Sequence, residues 1–204
     1  HKEYRRQRQM CIRDSLKLEH VITDDTSLIF VAGFNHPPNI DAAQWLVREI
    51  LPLVLAARPD VHLNIVGSNP SREVLALAND NISVHGYVTE SRLQELYAQA
   101  RCAVVPLRFG AGVKGKVLEA IQMGVPMVTT QIGAEGIPSA DHVMAIADEP
   151  EMFAQAVVQQ LDRTVENSST RERWIAAHFS PAAASAALES IVGPAAKAPD
   201  TTRV

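Results

Sequence analysis

Between Leu28 and Leu161 the chain alternates short apolar runs with segments whose apolar residues recur at helical spacing. Leu28 to Ala32 is unbroken apolar sequence before Gly33, which predicts a strand buried on both faces, as a parallel sheet requires. After the loop Phe34-Asn35-His36-Pro37-Pro38, Asn39 stands where a helix N-cap belongs, and Ile40, Ala43, Leu46, Val47 and Ile50 form one helical face. Pro52 should kink or restart that helix, which ends near Pro59. Val61 to Val66 predicts a second strand, closed by Gly67-Ser68-Asn69-Pro70, and Ser71 caps a short helix to Ala78. A third strand, Ile82 to His85, runs into Gly86-Tyr87-Val88, and Thr89 then heads a helix with Leu93, Leu96 and Tyr97 inward. Cys102 to Leu107 is a further apolar run, Pro126 begins another after a helix ending at Gly124, and Val143 to Ala147 is a weak strand. Pro150 starts a helix carrying Met152, Phe153, Ala156, Val157 and Leu161. This alternation predicts an α/β fold, a doubly wound parallel sheet of Rossmann-like type, with ligands beyond the carboxyl ends of the strands. Gly33, Gly67, Gly86 and Gly110 fall at those ends.

The stretch richest in chemistry is Val104 to Thr130, VVPLRFGAGVKGKVLEAIQMGVPMVTT. Gly110 and Gly112 let the backbone approach a ligand closely. The first amides of the following helix have no intrahelical partner, so an anion is the expected guest. At about 100° per residue, Lys116 and Glu119 fall roughly 60° apart on one helical face, while Lys114 points about 160° away from Lys116. Only one of the two lysines can then serve the site, and Lys116 is the better placed. It offers a point charge for a phosphate, one turn from a carboxylate that can accept hydrogen bonds from two sugar hydroxyls. Spacing by itself favours a plainer reading, an i,i+3 surface pair worth about 0.2–0.5 kcal/mol.

The segment GAGVKGKVLEAIQMGVPMVTTQIGAEGI resembles the donor-binding segment of family-four glycosyltransferases, GT-B enzymes that use nucleotide-sugars. The family pattern is Gly-x-Gly-x-x-x-Lys-x-x-Glu-Ala, then Gly-x-Pro-x-Val, then Glu-Gly. The likeness continues upstream through GFNHPPNIDAAQWL, LNIVGSNP and VHGYVTE and covers residues 27 to 165. It implies one half of a GT-B fold, with a nucleotide-diphosphate sugar as donor substrate and neither cofactor nor metal. It also implies Lys116 as the catalytic cation at the phosphates and Glu119 as the acceptor of the ribose hydroxyls, against the plainer reading. Gly33, Asn35 and His36 would face Gly110 across the cleft, Gly86, Tyr87 and Val88 would approach the nucleobase, and Glu135 and Gly136 would stand at the pocket rim. Many members carry another glutamate eight positions before the ribose glutamate, where this chain has Ala111. The donor sugar is then left to the backbone amides of Gly110, Ala111, Gly112 and Val113, or is recognised differently.

The implied reaction is hexosyl transfer, retaining at the anomeric carbon, to an acceptor such as a growing glycan or a lipid-linked sugar in polysaccharide biosynthesis. Catalysis in such enzymes occurs between two domains, so an N-terminal acceptor domain is expected to precede Leu16, with any peripheral membrane contact made through that half. The chain divides accordingly into a donor-binding domain over 16–165, C-terminal helices over 166–192 anchored by Trp174, Ile175 and Phe179 and broken at Ser180-Pro181, and a tail over 193–204 expected to be disordered. Residues 1–15, HKEYRRQRQMCIRDS, share no period with the rest and end in MCIRDS, which resembles translated sequencing-adapter read-through; a native basic linker is the alternative.

Composition narrows the classes further. The chain of 204 residues is 47% apolar and 21% charged, ordinary for one domain with a sizeable core, and aromatics at 5% make that core aliphatic. Five basic and two acidic side chains in residues 1–14 leave −7 of the total −4 to the remainder, so any anion must be held by local donors and a nucleic-acid surface is not expected. No apolar run reaches the roughly 18 residues of a membrane span and no signal-peptide pattern is present, which predicts a cytoplasmic segment. Cys11 and Cys102 form neither a disulfide framework nor a metal cluster, and Cys102 reads as a core residue. His85, within a strand, reads as a satisfied core or edge histidine. A nicotinamide-dependent dehydrogenase would need Gly-x-Gly-x-x-Gly after the first strand, where only Gly33 stands. A nucleotide-sugar epimerase of GT-B fold and a non-catalytic nucleotide-binding domain remain the alternatives.

Overall fold

The computed structural model describes residues 26–162 together with Arg173, Trp174, Ala177 and His178. Segment 1–15, the break at Ser180-Pro181, Ile175, Phe179 and the tail from Gly193 lie outside the described residues. The six strands are β1 Ser27–Val31, β2 His62–Val66, β3 Ile82–Gly86, β4 Cys102–Val105, β5 Met127–Thr129 and β6 Ala145–Ile146. All pair in parallel in the order β3-β2-β1-β4-β5-β6, the doubly wound arrangement. The central strands read as apolar runs because they are covered on both faces: every residue of β4 and β5 is buried, as are Ser27 to Phe30 of β1. The sixth strand is shorter than Val143 to Ala147. Val143 and Met144 are buried as a 3₁₀ turn at Ala140–His142 ends, and only Ala145 and Ile146 pair with β5.

The helix after β1 differs most from expectation. α1 spans Pro37–Trp45 and begins two residues before the predicted cap: His36 takes the extended cap position without a side-chain hydrogen bond, and the two prolines occupy the first turn. Proline fits there because its fixed φ is helical and its missing N–H would have had no partner. Asn39 is therefore a helical residue whose amide is free for other work. α1 continues through a π-helical turn, Leu46–Ile50, into α2, Leu51–Ala57. Pro52 lacks the N–H that a regular helix would send to the carbonyl of Arg48 and its ring crowds that oxygen, so the chain widens by a turn instead of breaking. The Leu51 amide donates to the Leu46 carbonyl, five residues back.

α3, Arg72–Leu75, is capped by Ser71, whose hydroxyl accepts from the Val74 amide at 3.3 Å, and it stops short of Ala78. α4, Glu90–Gln99, is capped by Thr89 in the same way and buries Leu93, Leu96 and Tyr97 as expected. α5, Gly115–Gln122, and the short α6, Gln131–Ala134, follow β4 and β5. α7, Pro150–Asp162, packs against α2, β4 and β5 through Phe153, Val157 and Leu161, with Phe153 edge-on to Trp45 at 6.2 Å. Trp174 is buried, as expected of an anchor, and its indole N–H donates to the Pro138 carbonyl at 2.9 Å. Among the described residues no helix is long and apolar enough to cross a membrane.

Candidate nucleotide-sugar site

β1 and β4 lie side by side, and the strand order runs outward from them in opposite directions. Their two following loops, residues 32–36 and 106–114, therefore part at the sheet's switch point, where doubly wound sheets have their ligand crevice beyond the strand ends. The first turn of α1 holds the two loops together. Asn39 is buried and its Nδ2 donates to the Gly33 carbonyl at 2.7 Å, while its Oδ1 accepts from the Lys116 ammonium. Asp41 takes the Arg108 guanidinium in a two-point pair at 3.0 and 2.5 Å, and that guanidinium lies 5.3 Å over the Trp45 ring. Pro38 sits beneath Gly110. Gly110 and Gly112 take φ values of 123° and 77°, so the turn between β4 and α5 is accessible only to residues tolerant of positive φ.

Lys116 sits in the first turn of α5. Its ammonium stands 5.5 Å over the Phe30 ring, and its side chain shares a space with Ile29, Val31, Tyr97, Ala103, Val105 and Ala120. Burial in these apolar surroundings, followed by the nearby Lys114 charge, pulls its pKa from 10.5 down to about 8. The i,i+3 surface pair is not formed: Lys116 bonds to Asn39, and Glu119 accepts from the Tyr97 hydroxyl at 3.5 Å.

The angular argument against Lys114 does not hold. Lys114 is the extended cap of α5, with φ −90° and ψ 106°, so the helical period does not govern where it points. Its ammonium donates to the Gly112 carbonyl and pairs with Glu135 at 3.0 Å, closing the glycine loop against the end of α6. Gly136 lies under Val113: with φ 75°, a Cβ there would come within 2.7 Å of the valine methyl. The structure thus brings together Gly33, Gly110, Ala111, Gly112, Val113, Lys114, Lys116, Glu135 and Gly136.

The remaining candidates are spread more widely. Asn35 and His36 are exposed on the loop after β1, and His36 contributes its carbonyl to the Asn39 amide at 3.0 Å. Gly86, Tyr87 and Val88 end β3, two strands away from β1, with Gly86 accepting from the Gly67 amide at 2.8 Å and Tyr87 71% exposed. His85 is an edge-strand histidine bonded to Asn64 at 2.7 Å, its pKa lowered by burial and then by Arg92 and His62. Among the described residues no three His, Cys, Asp or Glu side chains are grouped as metal ligands would be.

Sequence reasoning gave the Asn39 side chain only the role of a helix cap, and assigned nothing to Arg108 and Asp41. A signal existed for the first: an asparagine at the third position of a helix opened by two prolines has no cap to make.

Comparison with known proteins bears on the fold and the family. A curated relative, an uncharacterized 44.6 kDa protein in the cps region of Klebsiella pneumoniae, is 26% identical over 140 residues, covering 65% of this chain and 36% of that protein. Among solved structures, WaaG, a glycosyltransferase involved in lipopolysaccharide biosynthesis, superposes with a TM-score of 0.54 at 21% identity over 89% of this chain and 50% of its own. An Escherichia coli structure described as trehalose-6-phosphate bound with UDP-2-fluoro glucose gives a TM-score of 0.55 at 10% identity over 82% of this chain and 42% of its own. The chain thus spans half or less of the length of each. The fold is one half of a GT-B architecture. The model of the glycosyl transferases group 1 family matches residues 25–163, more than half of the sequence, and the chain belongs to that family.

Proposed function

We propose that this chain is the donor half of a glycosyltransferase and that it binds a nucleotide-diphosphate sugar in the crevice between β1 and β4. The observation that carries the reading is the Lys116 ammonium, half-buried at the switch point and held by a neutral acceptor and, among the described residues, by no carboxylate. An uncompensated cation in that position, beside the first amides of α5, is arranged for an anionic guest. As the bond between the anomeric carbon and the diphosphate breaks, charge grows on the leaving phosphate oxygen. A preformed ammonium and aligned amides stabilise that charge more than they stabilise the ground state. The acceptor hydroxyl oxygen forms the new bond to the anomeric carbon as the bond to the diphosphate breaks, and its proton passes to the departing diphosphate oxygen. Glu119 would take the ribose hydroxyls, Gly86 to Val88 the base, and the amides of Gly110 to Val113 the sugar.

The donor would be a hexosyl nucleotide, used with retention and without metal, and the acceptor a growing glycan or lipid-linked sugar. Support for a polysaccharide setting comes from the cps-region relative and from the involvement of WaaG in lipopolysaccharide biosynthesis. A further domain, preceding this one, would supply the acceptor site. The test is calorimetric titration of the 204-residue chain with UDP, GDP and ADP and their hexose conjugates. Selective binding of one diphosphate, lost in a folded Lys116→Met variant, supports the reading; binding of none, or binding indifferent to Lys116, refutes it.

A further inference from the structure

Asn39 lies within the GFNHPPNIDAAQWL motif but has no task assigned by it in the site, yet it is the only side chain to which the Lys116 ammonium is hydrogen-bonded among the described residues. Its two amide atoms have separate tasks. Nδ2 donates to the Gly33 carbonyl at 2.7 Å, at the end of β1, and this leaves Oδ1 facing the ammonium. The amide cannot rotate to its other orientation without setting NH₂ against NH₃⁺ and carbonyl against carbonyl. One of the three ammonium donors is thereby committed and the other two are aimed away from Asn39.

We propose that Asn39 is the positioning residue for Lys116: it fixes the ammonium over the end of β1 while leaving its full positive charge available to the diphosphate. The proposal rests on the donor-site reading above. A carboxylate at this position would hold the lysine as firmly but would neutralise it. An apolar residue would leave the charge whole but neither aimed nor supported. A neutral amide is the side chain that does both, and its burial on the helix that also carries Asp41 ties it to the clamp on Arg108.

Among the described residues the titratable groups around the ammonium are few. Lys114 stands beside it at the cap of α5 and is itself paired with Glu135; Tyr97 reaches the same space from α4 and bonds to Glu119, one turn further along α5. Replacing Asn39 leaves all four in place, so the change in Lys116 can be read separately from them. A hydrogen bond to a charged group favours its charged form, and an adjacent carboxylate favours it more. The two substitutions therefore move Lys116 in opposite directions, which loss of packing alone would not do.

The experiment uses the full chain with ¹³Cε-labelled lysine. The Lys116 resonance is assigned by its disappearance in Lys116→Met and titrated with no nucleotide present. In the native chain it should titrate near pH 8. In Asn39→Ala it should titrate lower, and in Asn39→Asp higher. UDP, GDP and ADP titrations across the same pH range follow: both variants should bind the preferred diphosphate at least about tenfold more weakly at pH 7, a charge-assisted hydrogen-bond loss in one and neutralisation in the other. Unchanged lysine titration in both variants, or shifts of the same sign, overturns the positioning role whether or not any nucleotide binds. If the lysine shifts as stated but the native chain binds no diphosphate, the positioning stands and the donor-site reading falls.

Discussion

Lys116→Met should make this protein more stable at neutral pH while abolishing the proposed diphosphate binding. Methionine keeps the length of the stem that lies against Ile29, Val31 and Ala120, and removes only the charge. A lysine held at about 8 instead of 10.5, at about 1.4 kcal/mol per tenfold in the proton equilibrium, carries a cost of about 3 kcal/mol. Against that gain, the variant leaves the Asn39 carbonyl oxygen without its donor, worth about 1–2 kcal/mol. The net expectation at pH 7 is a stabilisation of about 1–2 kcal/mol. The sign of the pH dependence follows from the depressed folded-state pKa. Between 8 and 10.5 the unfolded native chain binds a proton that the folded chain does not, so native stability rises with pH across that window, and the cost of charging Lys116 is fully present only below it. The methionine variant has no such gain, so its advantage should shrink from pH 7 to pH 10 and reverse. Urea denaturation of both proteins at several pH values measures the difference while the other titrating groups cancel. A variant less stable than the native chain at pH 7, by an amount independent of pH, would refute the reasoning.

Other consequences can be checked alongside. Glu119→Ala should weaken binding of the preferred nucleoside diphosphate by about 1.5–3 kcal/mol, the loss of charged hydrogen bonds to ribose, as read by calorimetry. Unaltered affinity in the folded variant counts against its role. Arg108→Ala removes the two-point pair with Asp41 and the contact over Trp45, both partly solvated, and should cost about 1 kcal/mol in denaturant unfolding. Backbone amide exchange in residues 109–114 should accelerate with it, and unchanged protection there would show that the glycine loop is held elsewhere. Burial pushes the Cys102 thiol up to about 12, so in a Cys11→Ser background an aromatic disulfide reagent at pH 8 should react only at the rate of unfolding.

The strands were legible because burial on both faces erases polar positions: β1, β4 and the run around β5 need only local sequence to be read. Caps formed by Ser71 and Thr89 were legible for the same local reason, since each hydroxyl serves an amide three residues ahead. The errors arose where one boundary governs a geometry. Pro37 and Pro38 can either precede a helix or open it, and that choice decides whether Asn39 is a cap or a buried helical side chain. Whether Lys114 lies inside α5 decides whether the helical period applies to it at all. The Asn39–Lys116 and Asp41–Arg108 contacts join residues 77 and 67 positions apart, so no window of sequence contains them. They follow from the pairing of β1 with β4, which places two loops from distant parts of the chain side by side.

The π-helical turn at Leu46–Ile50 acts as a phase shifter between two ends of one long helix that answer to different masters. The front end is indexed to the crevice by Asn39 and Asp41; the rear end is indexed to the core, where Leu51 and Val54 are buried. Five residues of regular α-helix would set Leu51 about 140° round from Leu46, yet both are buried because the wider turn returns them to nearly one face. The extra residue in that turn therefore absorbs a mismatch in angular register. Deleting the exposed Arg48 would regularise the hydrogen bonding and rotate one end against the other by about 100°. Either the crevice would lose Asn39 or the core would lose Leu51, so this local irregularity is what lets a single helix serve both.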